Sequence, residues 1–171
     1  RHGFTLKDQL IARLPDYAPW LSRIAGLANL QSRIPGFAWL GRRLLGFSAK
    51  RPLPAWRQDT FWASHDPKLF ASRAQILGIQ ASGGKAVALF VDSFNGNFET
   101  QNALAAASLL RKAGYAVHLL AKGKRGHCCG RTYLASGMVA QAKEKVAALL
   151  DDALPLVQAG IAIVGLEPSC L

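Results

Sequence analysis

The residues of this chain that are best suited to chemistry are its thiols. Cys128 and Cys129 are adjacent in a glycine-rich, basic stretch, and the third cysteine, Cys170, is the next-to-last residue. Three thiolates brought together would suit a soft metal centre, either an iron–sulfur cluster or zinc. The C-x-x-C spacing that zinc sites and thiol–disulfide enzymes commonly use is absent. The alternative is that all three cysteines are ordinary small buried residues.

The thiols are expected to be free. Adjacent Cα atoms lie about 3.8 Å apart, below the range of about 4.4–6.8 Å that most disulfides span. Three cysteines do not make a disulfide framework, so we expect a reducing, cytoplasmic compartment. His127, next to the pair, could complete a tetrahedral metal site, although a single loop histidine is more often part of the polar surface.

Strands and helices alternate around the thiols. Three short apolar runs predict strands at residues 85–91, 115–120 and 160–165. One helical pattern begins near Glu99, and a second covers about residues 137–150 before a break expected near Pro155. This order is typical of a parallel sheet covered by helices. We therefore expect an α/β fold, with helices on both faces of the sheet.

The connection after the first strand, "DSFNGN", predicts a turn. Asn97 at its end is expected to cap the helix that begins at Glu99. That helix would carry Arg111 and Lys112 in its last turn and end at Gly114, since basic side chains and glycine favour the carboxyl ends of helices.

Several polar and thiol residues follow the three predicted strands directly or in the next loop. The carboxyl ends of parallel strands meet at one edge, where α/β proteins place their sites. The residues expected to converge there are Asp92, Cys128, Cys129, Glu167 and Cys170. The loop glycines Gly123, Gly126 and Gly130 would let the backbone approach whatever is bound.

The first 75 residues are more basic than the rest. They carry 12 Lys/Arg and 4 Asp/Glu, a net charge of +8, out of +11 for the chain. Such a segment can face nucleic acid, anionic lipid or an acidic partner domain, or it can be a solvated surface. Its prolines separate short helical patterns, so we expect a basic helical arm and linker over 1–75 and an α/β domain over 76–171.

Two helical stripes are expected in this arm. Trp20, Ile24, Leu27 and Leu30 fall on one face, with Pro19 in the first turn. A second stripe places Phe37, Leu40 and Leu44 on one face and ends at Gly46, before an extended segment. Stripes of this kind favour core contacts over membrane contacts.

Neither a secretory signal peptide nor a membrane-spanning helix is predicted. The longest uncharged run is residues 153–166, whereas a spanning helix needs about 20 apolar residues. The first residue is arginine and the last, Leu171, directly follows a cysteine. We therefore expect a fragment of a longer protein, truncated at the carboxyl end of its α/β domain.

Two stretches, "HCCGRTYLASGMVAQAKE" and "GIAIVGLEPSCL", resemble a known family. They are similar to the cysteine-rich CCG domain of iron–sulfur oxidoreductases, which include heterodisulfide reductases and anaerobic glycerol-3-phosphate dehydrogenases. "DSFNGNFE" and "GLEPSC" are typical of the carboxyl-terminal part of FAD-linked dehydrogenases of D-2-hydroxyacids, such as D-lactate, glycolate or 2-hydroxyglutarate. The similar part covers about residues 60–171.

The resemblance implies a set of metal ligands. Cys128 and Cys129 match the cysteine pair of the family, and Cys170 matches its last cysteine. Asp92 and Glu167 stand where the family pattern has two further cysteines. The implied cofactor is a 4Fe-4S cluster; a mixed site of thiolates and carboxylates, a labile cluster or another metal are the alternatives, because carboxylates are harder ligands.

The function implied by the resemblance is electron transfer. The chain would be the iron–sulfur module of a multidomain dehydrogenase, passing electrons from FAD in another part of the enzyme toward a membrane acceptor. The implied partners are the flavin and ferredoxin-like modules and a membrane surface or quinone, but no nucleic acid. The location would be cytoplasmic or peripheral to the inner face of the membrane, and the fragment alone would be inactive. The alternative is a non-catalytic docking module with a degenerate metal site.

Overall fold

The computed structural model describes residues 3–32, 34, 36, 39, 43, 54–123 and 125–170. The helices of these residues are α1 (Leu6–Ala12), α2 (Leu14–Arg23), α3 (Ala25–Ala28), α4 (Phe61–Ser64), α5 (Arg73–Ala81), α6 (Ser93–Asn97), α7 (Thr100–Lys112), α8 (Arg131–Ala135) and α9 (Val139–Gln158). The strands are β1 (Ala86–Phe90), β2 (Ala116–Leu119), β3 (Ala121–Lys122), β4 (Arg125–Gly126) and β5 (Ala162–Gly165), and short 3₁₀ turns cover Asn29–Ser32, Pro67–Leu69 and Pro168–Cys170.

Three strands form a parallel sheet in the order β2–β1–β5, which confirms the predicted α/β class. Val87 of β1 is in register with Val117 on one side and Ala162 on the other. All five residues of β1 are buried, because the strand is central and covered on both faces. The three predicted strands are therefore confirmed within one or two residues at each end.

Helices cover both faces of this sheet. Ala88 and Phe90 of β1 share one buried cluster with Ile76 of α5 and Leu156 of α9. Successive side chains of a strand point to opposite faces. Val87 and Leu89 accordingly lie in a second cluster, which contains Phe61 of α4 and Ala103 of α7.

The predicted turn after β1 is wrong, because this segment forms α6. Asp92 is the N-cap of α6, and its side chain accepts hydrogen bonds from the backbone N–H groups of Phe94 and Asn95. Asn97 does not cap α7, since its side chain donates to the carbonyl of Ser93 within α6. The carboxyl end of α7 is as predicted, with basic residues in its last turn.

The break expected near Pro155 is also wrong. α9 begins at Val139, two residues later than expected, and continues through Pro155 to Gln158. A proline inside a helix costs about 3 kcal/mol, since it removes a backbone hydrogen bond. Leu156, the next residue, is fully buried in the cluster that contains Ala88 and Phe90, and its burial favours the continued helix. Tertiary packing therefore outweighs the local signal.

The arm is helical, but its stripes are not placed as expected. Pro15 occupies the first turn of α2, while Pro19 lies inside the helix. Trp20 is 58% exposed and Leu27 is 69% exposed, so the expected core contacts of the first stripe are wrong. The second stripe, with Phe37, Leu40, Leu44 and Gly46, lies outside the described residues. Within the ranges that the structure describes, no helix combines the length and apolar character needed to cross a bilayer.

Candidate thiol site at the sheet edge

The three cysteines meet in one cavity at the carboxyl edge of the sheet. The β3–β4 hairpin follows β2 and delivers Cys128 and Cys129, while the 3₁₀ turn after β5 delivers Cys170. All three sulfur-bearing residues line a cavity of about 380 Å³. They are free and partly buried, which differs from the fully buried small residues of the alternative interpretation.

The sulfur atoms form a hydrogen-bonded group. Cys129 Sγ and Cys170 Sγ are 2.9 Å apart, although 41 residues separate them in the chain. The backbone N–H of Gly130 donates to Cys128 Sγ at 3.3 Å. Either of the two sulfurs, Cys129 or Cys170, could donate a hydrogen bond of this length. The other groups that donate hydrogen bonds to Cys129 decide which sulfur carries the proton.

Hydrogen bonds and burial change the pKa values of the three thiols in different directions. Hydrogen bonds from the Cys128 and Cys170 thiols, together with the Arg131 backbone N–H, lower the pKa of Cys129 to about 5. The pKa of Cys128 is raised well above its usual range, since its thiol proton is committed to Cys129 and the side chain is buried. Burial and the neighbouring Cys129 raise the pKa of Cys170 to about 12. Cys129 is therefore the thiolate at neutral pH.

Asp92 lies directly behind this group, but its carboxylate is already engaged. The residue is 2% exposed. Oδ1 accepts from the backbone N–H groups of Phe94 (2.8 Å) and Asn95 (3.1 Å), and Oδ2 accepts from the Asn95 side-chain amide at 2.6 Å. Its charge is close enough to Cys170 to contribute to the raised pKa of that thiol. Asp92 is thus a helix cap beside the thiols, and its role as a ligand stays a prediction.

Glu167 lies at the cavity wall, on the same side as Cys170. Its Oε1 accepts from the Ser169 hydroxyl at 2.6 Å, and this bond lowers the pKa of the Glu167 carboxyl. Arg131 of α8 also lines the cavity and donates to the Ser169 carbonyl at 3.2 Å. In the parts of the chain for which the structure gives positions, no three His, Cys, Asp or Glu side chains are arranged to hold a metal ion.

His127 does not face the thiols. Its Nε2 lies 3.1 Å from Asp152 Oδ2 on α9, and Asp152 also pairs with Arg73 of α5. Burial, followed by the charges of Lys122 and Arg73, lowers the pKa of His127. The residue is 9% exposed, so the expected polar-surface role is wrong. His127 instead joins the cysteine loop to two helices of the core.

Two of the loop glycines pack closely against other residues of the chain. A Cβ at Gly126 would lie 2.5 Å from the Trp62 ring and 2.8 Å from the Val91 carbonyl oxygen. A Cβ at Gly130, where φ is +81°, would lie 2.6 Å from the Ala142 carbonyl oxygen on α9. These positions exclude larger residues because the loop packs tightly onto the fold, and not for the sake of a bound group.

Sequence reasoning missed three parts of the site. The Ser93 hydroxyl bonds to Cys128, and the Asn95 side chain lines the cavity. Asn95 is 5% exposed, and its Oδ1 has no hydrogen-bond partner among the described residues. Both residues lie in "DSFNGN". The sequence signal that could have located them is Asp92, a residue type that commonly caps the start of a helix. Ile11 and Pro15 of the arm form another wall, which no local pattern indicates.

Known proteins do not identify this site. No protein-family model, curated protein or solved structure matches the chain significantly. The likeness to CCG domains therefore stays a prediction from the motifs, and the function has to be argued from the cavity.

Proposed function

We propose that the thiol cavity holds a thiolate-ligated metal centre, in the first place an iron–sulfur cluster. The observation that carries the proposal is the meeting of three cysteines from two loops, with Cys129 and Cys170 in sulfur–sulfur contact across 41 residues of sequence. Thiolates are the ligands that iron–sulfur clusters and zinc prefer. The same cavity contains Glu167, which could add an oxygen ligand.

The hydrogen-bond donors around the sulfurs support such a centre. Backbone N–H groups of Gly130 and Arg131 reach Cys128 and Cys129, and donors of this kind stabilise thiolates and tune cluster potentials. Cys129 is ionised at neutral pH, and binding a metal would release the protons of the other two thiols. A bound cluster would supply one-electron transfer at this edge of the sheet. Arg131 would offset part of its negative charge.

In this proposal the chain is an electron-transfer module of CCG type. It belongs to a multidomain FAD-linked D-2-hydroxyacid dehydrogenase, and flavin and ferredoxin-like modules supply its electrons. The acceptor is a quinone or another membrane component, and the module works in the cytoplasm at the inner face of the membrane. The motifs around Cys128, Cys129 and Cys170 support this assignment. The chain contains no flavin motif, so we expect no substrate turnover by the module alone.

A second function is favoured by Asp92. Its carboxylate accepts three hydrogen bonds within and beside α6, which leaves it poorly placed to replace a cysteine ligand. If the site has lost its metal, the chain would serve as a docking module, and the thiols would be a remnant of the ancestral ligands.

Metal loading separates the two functions. We expect the chain, reconstituted anaerobically with iron and sulfide, to bind both and to show the visible absorption of a cluster. A Cys128→Ser/Cys129→Ser variant should lose most of this iron. Asp92→Asn, which preserves an oxygen acceptor for the α6 cap, should retain it if Asp92 is only a cap.

The matched control is Leu134→Ser, an exposed change on α8 close to the site. This variant should bind as much iron and sulfide as the unmodified chain. Equal iron in the unmodified chain and the double cysteine variant would contradict the metal-centre proposal and leave the docking function.

A further inference from the structure

The side chains of α2 and α3 that are fully buried are small, while two of the largest are exposed. On α2 and α3, Ala18, Ser22 and Ala25 are buried at 0–4% exposure. On the opposite side, Trp20 is 58% exposed and Leu27 is 69% exposed. A helix that contacts only its own fold and water normally shows the reverse arrangement. The outer face is therefore apolar where water alone would favour polar residues.

The exposed apolar positions continue along the chain. Leu30 is 45% exposed, Ile34 is 48% exposed and Trp39 is 61% exposed. We call Trp20, Leu27, Leu30, Ile34 and Trp39 the outer stripe. Single exposed apolar residues are ordinary, but a series of large ones in one segment marks an interaction surface.

The inner side of the arm is already occupied. Asp16 pairs with Lys145 at 2.6 Å and accepts a hydrogen bond from the Tyr133 hydroxyl. Thr132 donates to the Ala12 carbonyl at 2.8 Å. These contacts orient α1 and α2 on the fold, while Trp20 and Leu27 remain exposed.

The charge around the outer stripe is positive. Residues 1–50 contain eight Lys/Arg and two Asp/Glu, a net charge of +6. Both acidic residues are engaged, Asp8 in the capping box of α1 and Asp16 by Lys145. Arg13, Arg23 and Arg43 are exposed, and the Arg43 guanidinium lies 5.9 Å from the Trp39 ring centroid. A partner that complements this surface would have an anionic outer layer and an apolar layer beneath it.

We propose that the outer stripe docks on the surface of an anionic lipid bilayer. Tryptophan and arginine favour the interface between headgroups and acyl chains, while leucine and isoleucine enter the apolar layer below. Anionic headgroups would neutralise the surrounding arginines, because basic side chains near a negatively charged bilayer surface are attracted to it. This inference does not depend on whether the thiols hold a metal, since none of the outer stripe residues lines the thiol cavity.

Vesicle sedimentation tests the proposal with the complete 171-residue chain. We expect it to bind vesicles of equal parts phosphatidylglycerol and phosphatidylcholine, and to bind phosphatidylcholine vesicles far more weakly. Binding should fall as salt rises, because the long-range attraction is electrostatic. Leu27→Ser should weaken binding by about tenfold, because one leucine side chain would no longer be buried in the apolar layer of the bilayer.

Leu109→Ser is the matched control. Leu109 of α7 is also 69% exposed, and it lies outside the outer stripe. Its replacement should leave vesicle binding unchanged, and circular dichroism should show that both variants remain folded. Iron uptake at the thiols should be the same in both, so that a failure here is distinct from a failure of the metal-centre proposal.

Three results would overturn the inference. One is equal binding to neutral and anionic vesicles, and another is equal weakening by Leu27→Ser and Leu109→Ser. The third is a dimer that Leu27→Ser dissociates, without any vesicle binding, because a second copy of the chain would then cover the outer stripe.

Discussion

The central strand and the arm are built in opposite ways. β1 buries all five of its residues, among them Leu89 and Phe90, between two layers of helices. α2 and α3 bury only small residues and leave Trp20 and Leu27 largely exposed. Burial of large apolar side chains is the main source of stability. The difference indicates that the sheet and its covering helices contribute most of the buried apolar core, while the outer sides of α2 and α3 contribute surface.

The arm is held by a small apolar cluster of Ala12 with Tyr133, Met138 and Ala142 and by individual polar contacts. Asp16 bonds with Tyr133 and Lys145, and the Asn29 side chain pairs with the Trp56 backbone at 2.8 Å through both its donor and its acceptor. Such bonds contribute about 0.5–1.5 kcal/mol each. The apolar cluster is separate from the two clusters around β1, so α1 and α2 can open with little loss of core structure. Because the arm forms one wall of the thiol cavity, its opening would still affect the thiols.

The largest expected effect comes from comparing two leucines, one in each region. Leu89→Ala should lower the free energy of unfolding by about 3 kcal/mol, because Leu89 is fully buried and its truncation leaves a cavity. Leu27→Ala should change it by less than about 0.5 kcal/mol, since that side chain is in water. Urea unfolding measures both values. Similar losses for the two variants would show that the arm is part of the core.

An intermediate effect on the free energy of unfolding is expected when the contacts between Asp16 and the rest of the fold are weakened. Asp16→Asn removes the ion pair with Lys145 and weakens the bond from Tyr133, which should cost less than about 1 kcal/mol because the Asp16 side chain is 45% exposed. Amide hydrogen exchange should accelerate in α1 and α2 and stay unchanged in β1.

Asp59→Asn is the control for this substitution. Asp59 pairs only locally with Arg57, at 2.6 Å, so its replacement should leave exchange in α1 and α2 unaltered. If Asp16→Asn instead accelerated exchange throughout β1, the two regions would unfold as one unit and the comparison would fail.

The stability of the fold is also expected to depend on pH, through the thiols between the two regions. The pKa of Cys129 falls from about 8.5 in the unfolded chain to about 5 in the fold. The unfolded state then binds more protons between these values, so this group stabilises the fold increasingly as pH rises through that window, and its contribution is lost as pH falls through about 5.

Alkylation by iodoacetamide reports the same thiolate directly. Peptide mapping should show that the reaction of Cys129 slows below pH of about 5 and is nearly constant above pH of about 6. Cys170, whose pKa is raised to about 12, should react slowly throughout. Asp16→Asn should accelerate the reaction of Cys129 by opening the cavity wall. Equal rates for Cys129 and Cys170 at neutral pH would contradict the assigned thiolate.

Much of the sheet and of the thiol site could be predicted from local patterns. The run "KAVALFV" contains residues that favour strands and too few positions for a buried helix, and it forms β1. The convergence of Cys128 and Cys170 follows from parallel strands ending at one edge. The role of Asp92 could not be predicted in this way. An aspartate before "SFNGN" suits a turn, a helix cap or a ligand, and the hydrogen bonds from Phe94 and Asn95 decide among them only once α6 has formed.

The sequence by itself determined three parallel strands, the helices between them and the delivery of three thiols to one edge, because these features depend on residue periodicity and on the common direction of the strands. Tertiary structure decided which face of α2 and α3 is buried. Trp20 and Leu27 are large apolar residues that stay exposed, yet Ala18 and Ser22 lie inside, because small side chains let these helices approach the fold closely while Asp16 reaches Tyr133 and Lys145. A choice between two faces depends on the shape and charge of the surface that receives the helix, which no local pattern contains.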